Sequence, residues 1–269
     1  MRPDHGGICA DGARALGSEG TRGLMLEVRS LSNECLQRRQ SAVCDTCGAR
    51  PFSVCASLKP EDMAVLDAIA EQLSLQADAV LVREGDPANS VFNITSGSVR
   101  LYKLLADGRR QIIGFLFAGD FIGLAAGEDY GFSAEAIEPT TACRFRKTDY
   151  QAAVRSRPAL EAALLDRAMH ELAAAQKQML LLGRKTARER LASFLLDLPG
   201  RDPMRPSRDN RVRLPMTRAE MADYLGLTIE TVSRELTKLK NAQVIQALSL
   251  HEIEVERPDR LQELADGEV

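Results

Sequence analysis

The sequence has no apolar run that approaches the roughly 20 residues needed to cross a bilayer. Its first thirty residues contain Gly, Arg and Asp and lack the continuous apolar segment of a secretory signal. These two absences predict a soluble protein in the reducing cytoplasm. In that compartment, the six cysteines are more often metal ligands or reactive thiols than disulfides.

Signatures of common catalytic sites are also missing. The sequence contains no phosphate-binding G-x-x-x-x-G-K-S/T loop, no G-x-S-x-G nucleophile turn and no H-E-x-x-H zinc motif. We therefore expect a protein that is not an enzyme. Histidines are few, namely His5, His170 and His251, and only His170 lies near the long helix predicted below. A haem sensor is for that reason a weak alternative.

Length and charge favour two domains with a basic patch in the second. A chain of 269 residues is comfortable for two domains of ordinary size. The overall net charge is −3, but residues 184–251 carry 13 Lys and Arg against 8 Asp and Glu, a net charge of +5. Most clusters of basic residues are simply solvated surfaces. The patch therefore indicates DNA binding only if a DNA-binding motif lies beside it.

Short β-rich runs between Val80 and Arg146 predict an antiparallel β-roll. Turn signals recur every 11 or 12 residues, at Gly85, Gly97, Gly108 and Gly119. The segment D-G-R-R predicts a tight hairpin, because Asp-Gly accommodates the positive φ that such a turn needs.

A long helix with an apolar stripe is predicted after Pro158. No Gly or Pro interrupts the next twenty and more residues, and apolar side chains recur at alternating steps of three and four. The predicted dimer seam consists of Leu165, Ala168, Leu172, Ala175, Met179 and Leu182. Such a stripe favours a parallel coiled-coil contact with a second copy, and packing against its own domain is the alternative.

Two short helices joined at Gly226 predict a helix-turn-helix. Thr217 and Glu220 have the spacing of a capping box, Thr228 can cap the second helix, and Gly226 permits the sharp turn. The face of the second helix that we expect to be buried consists of Val232, Leu236 and Leu239.

The opposite face of the second helix suits the DNA major groove. Arg can donate two hydrogen bonds to guanine, Glu can accept one from cytosine, and Ser can do either. The predicted DNA-contacting residues are Thr228, Glu230, Thr231, Ser233 and Arg234. Glu230 discriminates between functions, because a carboxylate near phosphates is unfavourable unless it reads a base. The alternative is that Glu230 only complements the helix dipole while Arg234 is solvated. A symmetric dimer would bind an inverted repeat.

Four cysteines form a candidate metal site. Three of them follow the spacing C-x2-C-x7-C, and the fourth lies in the last run of the β-roll; they are Cys44, Cys47, Cys55 and Cys143. Four thiolates suit a [4Fe–4S] cluster or zinc, although a zinc ribbon usually has two C-x2-C pairs. Inert buried thiols and a redox switch are further alternatives. Cys35 is a candidate substitute ligand, and Cys9 is expected to be free.

From about Cys35 to Val255 the sequence resembles the CRP/FNR superfamily of transcription regulators, particularly its FNR/FixK branch. The segments that carry the resemblance are GDPANSVFNITSGSVRLYKLLADGRRQIIGFLFAGDFIGL, LLLGRKTARERLASFL and LPMTRAEMADYLGLTIETVSRELTKL. The resemblance implies an α+β fold with an N-terminal antiparallel jelly roll like that of cyclic-nucleotide-binding domains, a long dimerisation helix and a C-terminal winged helix-turn-helix. The predicted ranges are a mobile leader (1–30), a cysteine arm with the sensor roll (31–157), the dimerisation helix (158–183) and the DNA-binding domain (184–269).

The resemblance also implies a function. One [4Fe–4S] cluster per subunit would be held by Cys44, Cys47, Cys55 and Cys143, and the base-contacting triplet would be Glu230, Ser233 and Arg234. It implies a cytoplasmic homodimer that binds double-stranded DNA, works with RNA polymerase and activates anaerobic or microaerobic genes, nitrogen fixation among them. Oxygen would inactivate it by destroying the cluster.

Relatives that bind cyclic AMP in the roll provide an alternative. Their pockets place an Arg against the cyclic phosphate. The corresponding stretch here reads GFSAEA, with Phe132 at that position, so we expect no cyclic nucleotide. The last alternative is a cluster-free or zinc/thiol-based regulator of the CRP type.

Overall fold

The computed structural model describes Cys44 and residues 47–123, 127–202 and 210–268. The predicted leader, His5, Cys9 and Cys35 lie outside these residues. In the ranges described, no helix combines the length and the apolar character that crossing a membrane requires.

Seven α-helices and eleven β-strands occur in the described ranges. The helices are α1 (Pro60–Ile69), α2 (Lys147–Arg155), α3 (Pro158–Arg184), α4 (Ala187–Asp197), α5 (Arg218–Leu225), α6 (Ile229–Asn241) and α7 (Pro258–Asp266). The strands are β1 (Ala70–Leu75), β2 (Val80–Val82), β3 (Ser90–Ser96), β4 (Val99–Leu104), β5 (Arg110–Leu116), β6 (Phe121–Ile122), β7 (Ser133–Ala136), β8 (Thr140–Arg146), β9 (Arg211–Arg213), β10 (Ile245–Ala247) and β11 (Glu252–Val255). Short 3-10 turns cover Arg50–Phe52, Val54–Ser57 and Leu198–Gly200.

The N-terminal region is an antiparallel roll of two four-stranded sheets, with strand orders β1-β8-β3-β6 and β2-β7-β4-β5. This confirms the predicted jelly roll. The hairpin between β4 and β5 also forms as predicted, with Gly108 at φ 83°. The roll begins earlier than Val80, however, because β1 starts at Ala70 and pairs with β8. The run AEQLSL gives little apolar signal, because half of the residues of this edge strand are exposed and none is fully buried.

The C-terminal region is a winged helix-turn-helix, as predicted. Both residues of the Thr217–Glu220 capping box make their hydrogen bonds, and Gly226 ends α5 in the left-handed conformation. The strands β10, β11 and β9 form the wing sheet. The stretch that follows residue 251 forms β11 and α7, and α7 buries Leu261 and Leu264.

One apolar core joins the roll to the DNA-binding region. Side chains at the end of β5 and just after it pack among residues of α4 and α5. The Phe115 ring lies 5.2 Å from the Tyr224 ring and 6.2 Å from the Phe194 ring, centroid to centroid. The two regions are therefore packed together and not merely tethered.

The helix α3 is anchored at both ends. Its 27 residues span about 40 Å at 1.5 Å per residue. The two residues that it buries are Leu160 at its start, in the core beneath the cysteines, and Leu181 near its end, in the C-terminal core. Apolar side chains between the two anchors remain exposed.

Ion pairs also cross between the two regions. The buried Arg100 of β4 contacts Glu220 of α5 at 2.7 Å, and it also pairs with Glu135 and with Asp78 of the roll. Other crossing pairs are Arg110–Asp223 and Arg213–Glu138. Glu220 thus caps α5 and at the same time holds that helix against the roll.

Arg100→Ala should lower the free energy of unfolding by about 3–5 kcal/mol, because it leaves the buried carboxylate of Glu220 and the partly buried one of Glu135 without their shared cation. Arg109→Ala is the control, since its pair with Asp107 is exposed and screened by solvent and should contribute little to stability. Urea unfolding measures both variants. Equal losses in the two would contradict a structural role for the buried network.

Candidate metal centre and DNA-binding surface

The four predicted cysteine ligands line one half-open cavity of about 430 Å³. Cys44 and Cys47 precede the first 3-10 turn, Cys55 lies in the second, and Cys143 lies in β8. The structure therefore brings together residues that are up to about a hundred positions apart in the sequence. The walls of the cavity also include Arg50, Asn93, Leu66 and Phe145.

The arm that carries three of these cysteines is held by short-range hydrogen bonds and by one close approach. The Cys47 carbonyl accepts from the Arg50 amide at 3.2 Å, and the Ser53 hydroxyl accepts from the Cys55 amide at 3.2 Å. A Cβ atom at Gly119, where φ is 97°, would stand 2.6 Å from the Phe52 carbonyl oxygen. Only glycine permits the arm to lie so close to the roll.

Cys143 is held rigidly, because β8 has a strand on each side. It lies opposite Gln72 of β1 and opposite Asn93 of β3. The fourth thiol is thus a fixed point of the sheet, and the arm brings the other three to it.

The environment of the cavity opposes ionisation of the thiols. Burial raises the pKa of Cys143 to about 12, and the neighbouring Cys47, Cys55 and Asp67 add to the effect. Burial also raises the pKa of Cys44, whose thiol donates a hydrogen bond to the Asp67 carboxylate. Burial raises the pKa of Cys55 as well, partly offset by Ser53 and Arg50. Thiols must lose their protons to bind metal, so an occupant has to overcome this cost.

The donor set fits a thiolate-ligated cluster. Four sulfur ligands are the number that a cubane [4Fe–4S] cluster needs. The four cysteines line a cavity that has room for a cluster larger than a single ion. Arg50 supplies a positive charge beside them. Among the described residues, no three or more His, Cys, Asp or Glu side chains are already arranged so that they could hold a single metal ion.

Two buried polar atoms near the cysteines have no hydrogen-bond partner in the described part of the chain. They are Oδ1 of Asn93, which lines the cavity, and the hydroxyl of Tyr150, which packs in the core behind Cys55. A buried acceptor or donor without a partner costs about 1–3 kcal/mol. No signal in the sequence pointed to Asn93, because the run SVFNITS reads simply as a strand.

The core behind the cavity continues into α3. Cys44, Cys55 and Cys143 pack against a cluster that includes Val54, Leu58 and Leu160, and the second 3-10 turn lies against α3. The adjacent residues Ala163 and Leu164 pack on the same cluster. The cysteine arm thus contacts the helix one residue before the predicted seam begins at Leu165.

The helix-turn-helix presents most of the predicted DNA-contacting residues to solvent. Thr228 caps α6 by accepting from the Thr231 amide at 3.2 Å. Thr228, Glu230 and Arg234 are exposed, whereas Thr231 and Ser233 are half-buried. On the opposite face Val232 and Leu239 are buried as predicted, and Leu236 is half-buried.

Two features of α6 were not anticipated. Ile229, an apolar side chain beside Thr228 on the candidate surface, is 44% exposed; its exposure, which no periodicity reveals, makes it a candidate contact to a base. Glu235 is buried: burial would raise its pKa, but hydrogen bonds from Lys238 and Arg188 outweigh this and lower it. The pKa of Glu230 is lowered by hydrogen bonds from its own amide and from Thr228.

The predicted seam on α3 is mostly exposed in the single chain. Its exposed members are Leu165, Ala168, Leu172, Ala175 and Met179. Leu182 differs, because it is half-buried and packs against the C-terminal core, so packing on the same chain holds for Leu182. Met169 and Leu180 are also exposed, at 60% and 59%. The predicted seam does not contain them, because they fall outside its alternating spacing of three and four residues.

Phe132 bears on the cyclic-nucleotide alternative, and His170 bears on the haem alternative. Phe132 is half-buried and packs against the core of the roll. His170 lies on the exposed side of α3, and its Nδ1 is 2.9 Å from the Asp166 carbonyl oxygen.

Comparison with known proteins identifies two domains. The family model described as the Crp-like helix-turn-helix domain matches residues 189–264. The family model described as the cyclic nucleotide-binding domain matches residues 72–157.

Full-length relatives and solved structures agree with these matches. The transcriptional activatory protein AadR of Rhodopseudomonas palustris is 42% identical over 203 residues, which are 75% of this chain and 85% of AadR. The nitrogen fixation regulation protein FixK of Bradyrhizobium diazoefficiens is 40% identical over 197 residues, which are 73% of this chain and 83% of FixK. The structure of FixK2 from Bradyrhizobium japonicum has a TM-score of 0.68 and 37% identity, and covers 73% of this chain and 97% of FixK2.

In metal-free protein, Asp67→Asn should lower the pKa of Cys44, because it removes the carboxylate that accepts the thiol hydrogen bond. The thiolate is the reactive form, so Cys44 should be alkylated faster at a fixed, mildly alkaline pH. Residue-resolved mass spectrometry of iodoacetamide-treated protein measures the rate. Asp62→Asn on the same helix is the control, since Asp62 pairs with Arg157. An unchanged alkylation rate in Asp67→Asn would contradict the assignment of Asp67 as the acceptor of the Cys44 hydrogen bond.

Proposed function

Since the chain belongs to the CRP/FNR family of transcription regulators, we propose that it is an oxygen-responsive activator that binds DNA as a homodimer with a [4Fe–4S] cluster in each subunit. It is accordingly a transcription regulator and not an enzyme. The observation that carries the proposal is the convergence of four cysteines on one cavity whose wall continues into α3.

The exposed face of α6 is the proposed base-reading surface. Arg234 has a 62% exposed side chain and only weak contacts, with Thr231 at 3.4 Å and Glu235 at 3.9 Å. It is therefore available to donate to guanine. Glu230 would have to exchange its bond from Thr228 for one from cytosine. Ile229 adds an apolar surface suited to a thymine methyl group.

The proposed sensor is the cysteine cavity. Cys44, Cys47, Cys55 and Cys143 would hold the cluster, and Arg50 would offset part of its negative charge. A bound cluster would supply a centre that oxygen oxidises and destroys. The protein's part is to fix one ligand in the sheet and three on an arm that packs against α3. Ligation thus ties the arm to the roll.

The proposed response passes through α3. An effector shifts an equilibrium only by binding its two states unequally, so cluster occupancy must favour one arrangement of the arm and of Leu160. Movement at Leu160 is transmitted to the exposed stripe, because the same helix carries Leu165 and Leu172. The far end of the helix, at Leu181, is packed in the DNA-binding core.

The proposed dimer forms along the exposed stripe of α3. Leu165, Leu172 and Met179 recur at intervals of seven residues and are each more than half exposed. A second copy would bury them in a parallel contact. A two-fold dimer would then bind an inverted repeat with half-sites about 34–36 Å apart.

The proposal includes RNA polymerase as a partner and needs no cyclic nucleotide. Polymerase is included because this chain is similar to AadR, a transcriptional activatory protein, and activators act on RNA polymerase. The absence of a cyclic nucleotide rests on Phe132, an apolar side chain that packs in the roll core at the position where the family's nucleotide-binding members present a cation.

A second candidate is a regulator that uses the same cysteines as thiols, without a cluster. The hydrogen bond from Cys44 to Asp67 favours the absence of a cluster, because it stabilises the protonated thiol, which does not bind metal. The two candidates share the DNA-binding surface and differ in iron content.

The oxygen response is tested by comparing anaerobic and air-exposed protein. Sedimentation should show more dimer in the anaerobic sample, and fluorescence anisotropy should show tighter binding to an inverted repeat. Cys143→Ser is the matched variant, since it removes the fixed ligand and should behave alike in both atmospheres. No change of wild-type dimerisation or DNA binding with oxygen would contradict the proposal.

Arg234→Ala should weaken binding to the preferred DNA site by about 1–3 kcal/mol and relax discrimination at one base pair. The reason is that Arg234 would read a base and not only a phosphate. Lys240→Ala is the control, because it removes the same charge from the C-terminal end of α6. Titrations against a set of single-base variants give both quantities. Uniform weakening on every sequence by Arg234→Ala would contradict base reading.

A further inference from the structure

Asn93 is the one polar side chain of the cysteine cavity wall with a buried atom that lacks a partner in the described residues. The residue is 3% exposed and lies on β3, directly opposite Cys143 of β8. Nearby hydroxyls of the same wall are engaged with one another. Thr95 and Ser96 each contact the Thr141 hydroxyl at 2.7 Å.

The Asn93 side chain lines the cavity and makes no hydrogen bond within the described residues. The cavity wall also contains the apolar side chains of Met63, Leu66 and Phe145, and Gln72 of β1 lies opposite Cys143 on its other side. An amide group has two N–H donors and one acceptor, and its oxygen and nitrogen exchange places by a simple rotation. A ligand that accepts hydrogen bonds would therefore find a donor on the wall beside Cys143.

We propose that Asn93 is a positioning residue that donates an N–H hydrogen bond to a sulfur atom at the Cys143 corner of the cluster. This inference rests on the proposed function. Hydrogen bonds to the sulfurs are among the factors that set the reduction potential of an iron–sulfur cluster. Because they stabilise the more negative, reduced form, Asn93 raises the potential and slows loss of the cluster in air.

The test compares wild type with Asn93→Leu and Asn93→Ala, which both remove the donor. Redox titration and the rate of absorbance loss in air are measured on protein loaded with iron and sulfide under argon. Both variants should show a lower potential and a several-fold faster loss. Asn93→Thr, which keeps a hydroxyl donor, should restore part of the difference. Thr95→Val is the control, because its hydroxyl is already engaged with Thr141.

Metal-free protein provides an independent readout. Without an occupant, Asn93 has an unsatisfied buried atom, so Asn93→Leu should raise the thermal midpoint of the metal-free protein or leave it unchanged. A residue that serves only the fold would instead lower that midpoint. Opposite effects on metal-free stability and on cluster lifetime support the positioning role.

The outcomes separate this inference from the proposed function. If wild type takes up the cluster but both variants match its potential and air lifetime, the role of Asn93 is wrong and the sensor stands. If wild type takes up no iron and sulfide, the sensor proposal is overturned together with this inference.

Discussion

The structure depends on an apolar core in which the cysteine arm, the sheet of β8 and the start of α3 pack together. Val54 and Leu58 of the arm contact the same cluster as Leu160 of the helix and Phe145 of the sheet. Burial of this kind is non-directional and close-packed, so a shift in the arm cannot leave the helix unaffected. The thiols lie at the edge of this core, so the proposed cluster would lie next to the helix that carries the exposed stripe.

The other end of α3 is packed against the region that carries the helix-turn-helix. Leu181 is buried in the core that also holds the end of β5, and Arg100 of the roll pairs with Glu220 at the start of the helix-turn-helix. The orientation of α6 is therefore specified by packing and ion pairs from the roll as well as by its own domain. Contact between copies along the stripe would then fix two such units relative to each other.

Much of this could be predicted from sequence, because its determinants are local. Glycine spacing revealed the roll, and the Thr217–Glu220 capping box with Gly226 revealed the helix-turn-helix. Cys143 could be joined to the other cysteines only by the count of four ligands and by the family resemblance, since strand pairing over long sequence distances leaves no local signal. The same limit applies to the Arg100–Glu220 pair and to Asn93, whose meaning comes from neighbours distant in the chain. Leu182 was assigned to the seam by its spacing, yet the turn after α3 places it in a core.

The most direct test of the account is the iron, sulfide and zinc content of protein purified without oxygen, with Cys143→Ser beside the wild type. The account predicts a brown wild type with about four irons and four sulfides per chain. It predicts that Cys143→Ser loses both while its helix-turn-helix stays folded. A colourless wild type that carries one zinc ion per chain would contradict the account.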